Sequence, residues 1–181
     1  MALLGWGPKR VAALLLALAI PFASHAQVAN EYEVKAAFLF NFTRFVDWPA
    51  PPGNGLFCIG IDGADPFRGA LEEAVKGRSA GGRAIVIKRF KPGEEPAGCE
   101  MIFISATDPK KIGAILARLK GAAVLIVGDA PGFCASGGMI GFAVQDNKVK
   151  LEINPEAAQR ARLQISSKLL SLASLVRDAG E

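Results

Sequence analysis

A chain of 181 residues with 51% hydrophobic content can bury one core of ordinary size, and no internal break marks a second domain. Its 21 Lys and Arg are scattered among 17 Asp and Glu, without the basic run that would track phosphates, which argues against a nucleic-acid partner. The only histidine, His25, lies in a segment that reads as an export leader; the mature chain then has no imidazole for Ser/His/Asp or Cys/His catalysis or for a histidine-based metal site.

The leader is marked by Lys9 and Arg10, the apolar run 11–20, and the small residues Ser24 and Ala26 at the cleavage positions. Cleavage after Ala26 is predicted, leaving 27–181 as one domain of net charge about +2. The apolar run is too short for an ordinary membrane span and no later segment approaches one, which predicts a soluble mature protein outside the cytoplasm.

Residues 31–49, EYEVKAAFLFNFTRFVDWP, hold four of the eleven Phe. The spacing predicts a helix over 31–48, stopped by Pro49, Pro51 and Pro52. Counted at about 100° per residue from Phe38, Val34, Phe42 and Phe45 form its core face, with Leu39 and Val46 at the edge. Asn41 falls inside that arc and needs a backbone partner there. Glu33, Thr43, Arg44 and Asp47 lie opposite, and Phe40 falls among them. Either a further element such as the C-terminal helix covers Phe40, or it faces a partner.

After the prolines, 56–61 reads as a buried strand ending at Asp62-Gly63. Asp65-Pro66 then opens a helix with Leu71 and Val75 inward and Gly77 just past its end. Residues 83–90 alternate as a strand nearer a sheet edge. Residues 101–105 form a strand, Asp108-Pro109 opens a helix carrying Ile112, Ile115, Leu116 and Leu119, and 123–127 form the next strand. Strands alternating with helices favour a parallel sheet. Beyond a Gly-rich loop (Gly132, Gly137, Gly138), 139–144 and 148–153 read as a β-hairpin around Asp146-Asn147. Asn154-Pro155 starts a helix, and 166–176, with Leu169, Leu172, Ala173 and Val176 on one face, reads as an amphipathic one. The fold class is thus α/β: a single, mostly parallel sheet with flanking helices, then a C-terminal hairpin and helices.

Cys58 lies in the first strand and Cys99 just before the one at Met101, so the two are within bridging reach if those strands are neighbours. Cys134 is left over, either buried and inert or open to pairing between chains. Gly60-Ile61-Asp62-Gly63 is neither a dinucleotide nor a phosphate motif. No nucleophile–base pair, metal motif or cofactor fingerprint assembles, so no catalytic residues are assigned. The strand-to-helix loops near Gly63 and Gly132 offer a pocket for a small ligand as one possible role.

KAAFLFNFTRFVDWP (35–49), the strand around Cys58, DPF (65–67), the Cys99-x-x-Ile-Phe-Ile-Ser segment, GGMIGF (137–142) and LEINPEAAQRARLQISSKLLSLA (151–173) together resemble the YfiR family of bacterial periplasmic proteins. The resemblance implies a small, often homodimeric α/β protein that catalyses nothing. Such a protein binds the periplasmic sensor region of an inner-membrane diguanylate cyclase, or another membrane sensor, and so limits cyclic di-GMP and biofilm formation. It implies that Cys58 and Cys99 are the family's structural disulfide. Cys134 resembles half of a second bridge whose partner would fall within 137–142, where there is no Cys; its thiol is then unpaired and available for dimer formation or damage. Beside the resemblance, Phe40, Arg44, Asp47 and Trp48 are the expected contact surface.

Overall fold

The computed structural model describes residues 23–49, 55–91 and 93–179, with side chains from residue 31 onward. Most of the expected leader therefore lies outside the described residues, as do Pro51 and Pro52. In order, the elements are α1 (Ala23–Phe45), β1 (Val46–Asp47), β2 (Leu56–Asp62), α2 (Ala70–Val75), β3 (Ser79–Ala80), β4 (Arg83–Phe90), β5 (Met101–Ile104), α3 (Pro109–Arg118), β6 (Leu125–Gly128), β7 (Ile140–Gln145), β8 (Lys148–Ile153), α4 (Pro155–Arg160), β9 (Gln164–Ile165), α5 (Ser167–Leu170) and β10 (Ser174–Leu175).

Eight strands make one mixed sheet in the order β10-β8-β7-β6-β5-β2-β4-β3. Strands β4, β2, β5, β6 and β7 are mutually parallel, as strand–helix alternation requires. The hairpin partner β8 runs antiparallel to β7. Its two-residue turn places both Asp146 and Asn147 at positive φ, the backbone that matches the twist of the flanking strands. Strand β3 covers only Arg83 and Ala84 of β4, so β4 stands near the sheet edge as its alternation predicts.

Cap chemistry explains two helix starts. The Asp108 side chain accepts from the Lys110 amide with Pro109 in the first turn of α3, and Asn154 accepts from Ala157 ahead of α4. Asp65-Pro66 behaves otherwise. Asp65 accepts from the Phe67 amide in a tight turn, and α2 begins only at Ala70, although Leu71 and Val75 are buried as expected.

Helix α1 begins at Ala23, ahead of the expected start at residue 31, and differs from its expected form in two further ways. It stops at Phe45, because Val46 and Asp47 pair antiparallel with Ile165 and Gln164. Its buried arc is also centred on Leu39, not Phe38. Lys35, Ala36, Leu39, Phe42 and Val46 are buried, whereas Val34 is exposed and Phe38 and Phe45 are half-buried. With this rotation of about one residue's 100°, Asn41 moves to the outer side and Phe40 comes to the edge of the buried arc. Lys35 is buried at the end of the sheet, where its ammonium meets Glu31 at 2.6 Å and Asp129 at 2.7 Å. The Tyr32 hydroxyl donates to the same Asp129 oxygen at 2.9 Å, and burial, with the Asp129 charge second, raises its phenol above the ordinary range. This cluster anchors α1 against the segment following β6.

The tail is not the amphipathic helix that its spacing suggests. Helix α5 lasts one turn, and β10 then joins the sheet in parallel beside β8, leaving Leu172 and Leu175 69% and 62% exposed. The Gly-rich loop has a packing reason: the Phe133 ring fills the space that a Cβ at Gly128 or Gly138 would need. A larger residue at either position would have to displace a fully buried ring.

Candidate functional site

The expected contact residues lie where α1 gives way to β1. Arg44 and Asp47 are exposed, and Asp47 pairs in register with Gln164. Phe40 is 8% exposed, with the Arg78 guanidinium 4.6 Å from its ring centroid. The ring is therefore covered by a cation and by neighbouring core residues. Trp48 is half-buried, stands edge-on to Phe57 at 5.2 Å, and donates its indole N–H to the Glu100 carbonyl at 2.8 Å.

Trp48 leads to a cluster that the sequence reading missed. Strand β2 pairs with β5, and Cys58 and Cys99 are disulfide-bonded with their Cα atoms 4.4 Å apart. Directly after Cys99, Glu100 is 2% exposed. One carboxylate oxygen accepts the Cys58 amide at 2.8 Å and the other pairs with Arg83. Arg83 also donates to the Leu56 carbonyl at 3.0 Å and stands over the Phe57 ring. The bridge, the ion pair and the indole thus fix the start of β2 and β5 beneath β1. An acid beside a strand-entry cysteine was the only sequence signal for it.

Cys134 is free and fully buried, and its thiol donates to the Glu152 carbonyl at 3.4 Å. Burial first, and the Glu152 charge second, push its pKa up to about 12. A thiolate there is scarce near neutral pH, which makes the group inert in the folded state. A Cβ built on Gly141 would lie 3.1 Å from the Cys134 sulfur. Gly141→Cys is therefore expected to close a bridge to Cys134 in oxidising conditions. With so short a loop, the chain-entropy relation gives about 2.5 kcal/mol of stabilisation. Thiol counting checks it: one reactive thiol after unfolding without reductant in the parent and none in the variant. Two thiols in the unfolded variant would show that the pair cannot meet.

A family model described as YfiR/HmsC-like matches residues 32–174, from the middle of α1 to the first residue of β10. The chain belongs to the YfiR/HmsC-like family. That family is regulatory, known for periplasmic control of diguanylate cyclases. No curated protein matches the chain. Among the described residues, no helix is long and apolar enough to cross a membrane.

Proposed function

We propose that this YfiR/HmsC-like protein is exported to the periplasm, its leader removed after Ala26, and there represses an inner-membrane diguanylate cyclase. It binds the cyclase's periplasmic sensor region, as a homodimer, and so limits cyclic di-GMP and biofilm formation. The observation that carries this reading is the family match across 32–174. Repression needs no chemistry from the chain. A binder that prefers the inactive conformation of its partner lowers the active population in proportion to its differential affinity.

Arg44, Asp47, the outer edge of Trp48 and the Phe40–Arg78 pair are the proposed contact surface. It combines exposed charges, Arg78 over the covered Phe40 ring among them, with a half-buried Trp48 already held in place by its indole bond, which limits the ordering cost of binding. The test is a crosslinking pull-down of the tagged mature protein from native envelopes, with cyclic di-GMP assayed in the deletion strain. Recovery of a membrane cyclase and a rise of the nucleotide on deletion are expected. Arg44→Glu with Asp47→Lys, both at exposed positions, is expected to lose the capture while the protein stays folded. No membrane partner and unchanged nucleotide would overturn the repressor reading. Undiminished capture by the double variant would move the contact surface elsewhere.

A further inference from the structure

The sheet has a topological switch point. From β2 the chain passes through α2 to β4 on one side, whereas from β5 it passes through α3 to β6 on the other. The loops leaving β2 and β5 diverge, and open α/β sheets bind ligands in the crevice this leaves at the carboxyl ends of their strands. Here the crevice is a cleft of about 510 Å³ bordered by Asp62, Gly63, Ser105 and Thr107 and by the Lys111–Ile115–Arg118 stripe of α3. That volume is within the range of small-ligand sites. The loop at Gly132 lines a different cavity, with Lys35 and Asp129.

Asp62 distinguishes this cleft from a plain surface dent. It is the last residue of β2 and only 6% exposed, yet its Oδ2 has no hydrogen-bond partner among the described residues. Burial raises its pKa, with Arg118 opposing. An unsatisfied buried carboxylate oxygen is a standing cost that folding alone does not explain. Its surroundings are built closely: the Ser105 amide and hydroxyl both donate to the Asp62 carbonyl, at 3.0 and 3.2 Å. Gly63, at φ 102°, allows that approach, since a Cβ there would fall 2.6 Å from the Ser105 hydroxyl. Lys111 and Arg118 are exposed on the same face of α3, and no salt bridge among the described residues uses either. Asp108, the other acid on the rim, is already committed to capping α3.

We propose that this cleft binds a small hydroxylated acid, a hydroxycarboxylate or a phosphate ester. Once the Asp62 carboxylate turns to present its orphaned oxygen to the cleft, a ligand hydroxyl would satisfy it, and Lys111 and Arg118 would hold the anionic end. A neutral polyol meets only the first requirement and a bare anion only the second. The site stands on the sheet topology and the Asp62 environment, and does not depend on the cyclase reading.

The test is calorimetric titration and thermal unfolding of the mature protein with glycerol 3-phosphate, glycerate, glycerol and inorganic phosphate. Saturable binding and a raised Tm are expected with at least one of the first two, exceeding the response to glycerol or phosphate alone; which of the two acts separates ester from carboxylate. Lys111→Glu with Arg118→Glu, both at exposed positions, is expected to weaken that binding by about tenfold or more. Asp62→Asn is expected to reduce the preference for the hydroxylated acid over inorganic phosphate. No saturable response to either hydroxylated acid overturns the proposal. So does a response matched by inorganic phosphate, or one that survives the double charge reversal.

Discussion

Glu100→Ala is expected to lower the unfolding free energy by about 3–5 kcal/mol, the cost of breaking a buried ion pair from one side. The truncation leaves the Arg83 guanidinium, itself mostly buried, facing a cavity, and strips the Cys58 amide of its acceptor. Arg83 keeps the Leu56 carbonyl, a single neutral acceptor for a full charge. Glu100→Gln is the informative companion. Its amide oxygen can still accept one of the two donors, so the loss should be smaller than for alanine although the charge is equally gone. Urea unfolding of the oxidised protein measures both, and Trp48, the only Trp beyond residue 26, reports locally because its indole bonds the Glu100 carbonyl. Equal losses for Ala and Gln would mean that charge alone matters there. A loss under about 1 kcal/mol for Ala would mean that the cluster is surface-like, since exposed ion pairs contribute no more than that.

How much of this was readable in advance depends on the range of the interactions involved. Asp108-Pro109, Asn154-Pro155 and Asp146-Asn147 were legible because cap and turn chemistry is decided within three or four residues. Strand–helix alternation foretold parallel pairing but not the strand order, and the bridge between Cys58 and Cys99 was conditional on β2 and β5 being neighbours, which the structure makes them. Asp65-Pro66 carries the same local signal as Asp108-Pro109, yet Asp65 turns back onto Phe67 and α2 waits until Ala70. In α1 the spacing pointed to a core face around Phe38, but Leu39, Phe40 and Val46 offered apolar surface beside it, so the buried arc was set by what packs on it and is centred on Leu39. The tail had helical spacing, but the edge of β8 offered backbone partners, as the Val176 amide on the Ile153 carbonyl shows. Glu100 with Arg83 and Lys35 with Asp129 are distant in sequence, and no local pattern marks such pairs.

Replacing Cys58 and Cys99 together by alanine is expected to cost about 4 kcal/mol in the chain-entropy relation, for a bridge spanning 41 residues. The effect should arise mainly in the unfolded chain. In the folded state β2 and β5 are paired from Ile59↔Met101 to Asp62↔Ile104 whether or not the sulfurs are joined. Native Trp48 emission should therefore change little while the urea midpoint falls. The m-value should rise, because an uncrosslinked unfolded chain exposes more surface. Refolding should also slow wherever the transition state already contains the β2–β5 pairing, since that contact then has to close a long loop unaided. A loss below about 1 kcal/mol with an unchanged m-value would show that the unfolded chain stays compact around these strands without the bridge. Adding Glu100→Ala separates the two contributions further. Glu100 bonds the Cys58 amide and follows Cys99 directly, so the losses should fall short of additive if the bridge serves to hold Glu100 under Arg83. They should add if the bridge acts only on the unfolded chain.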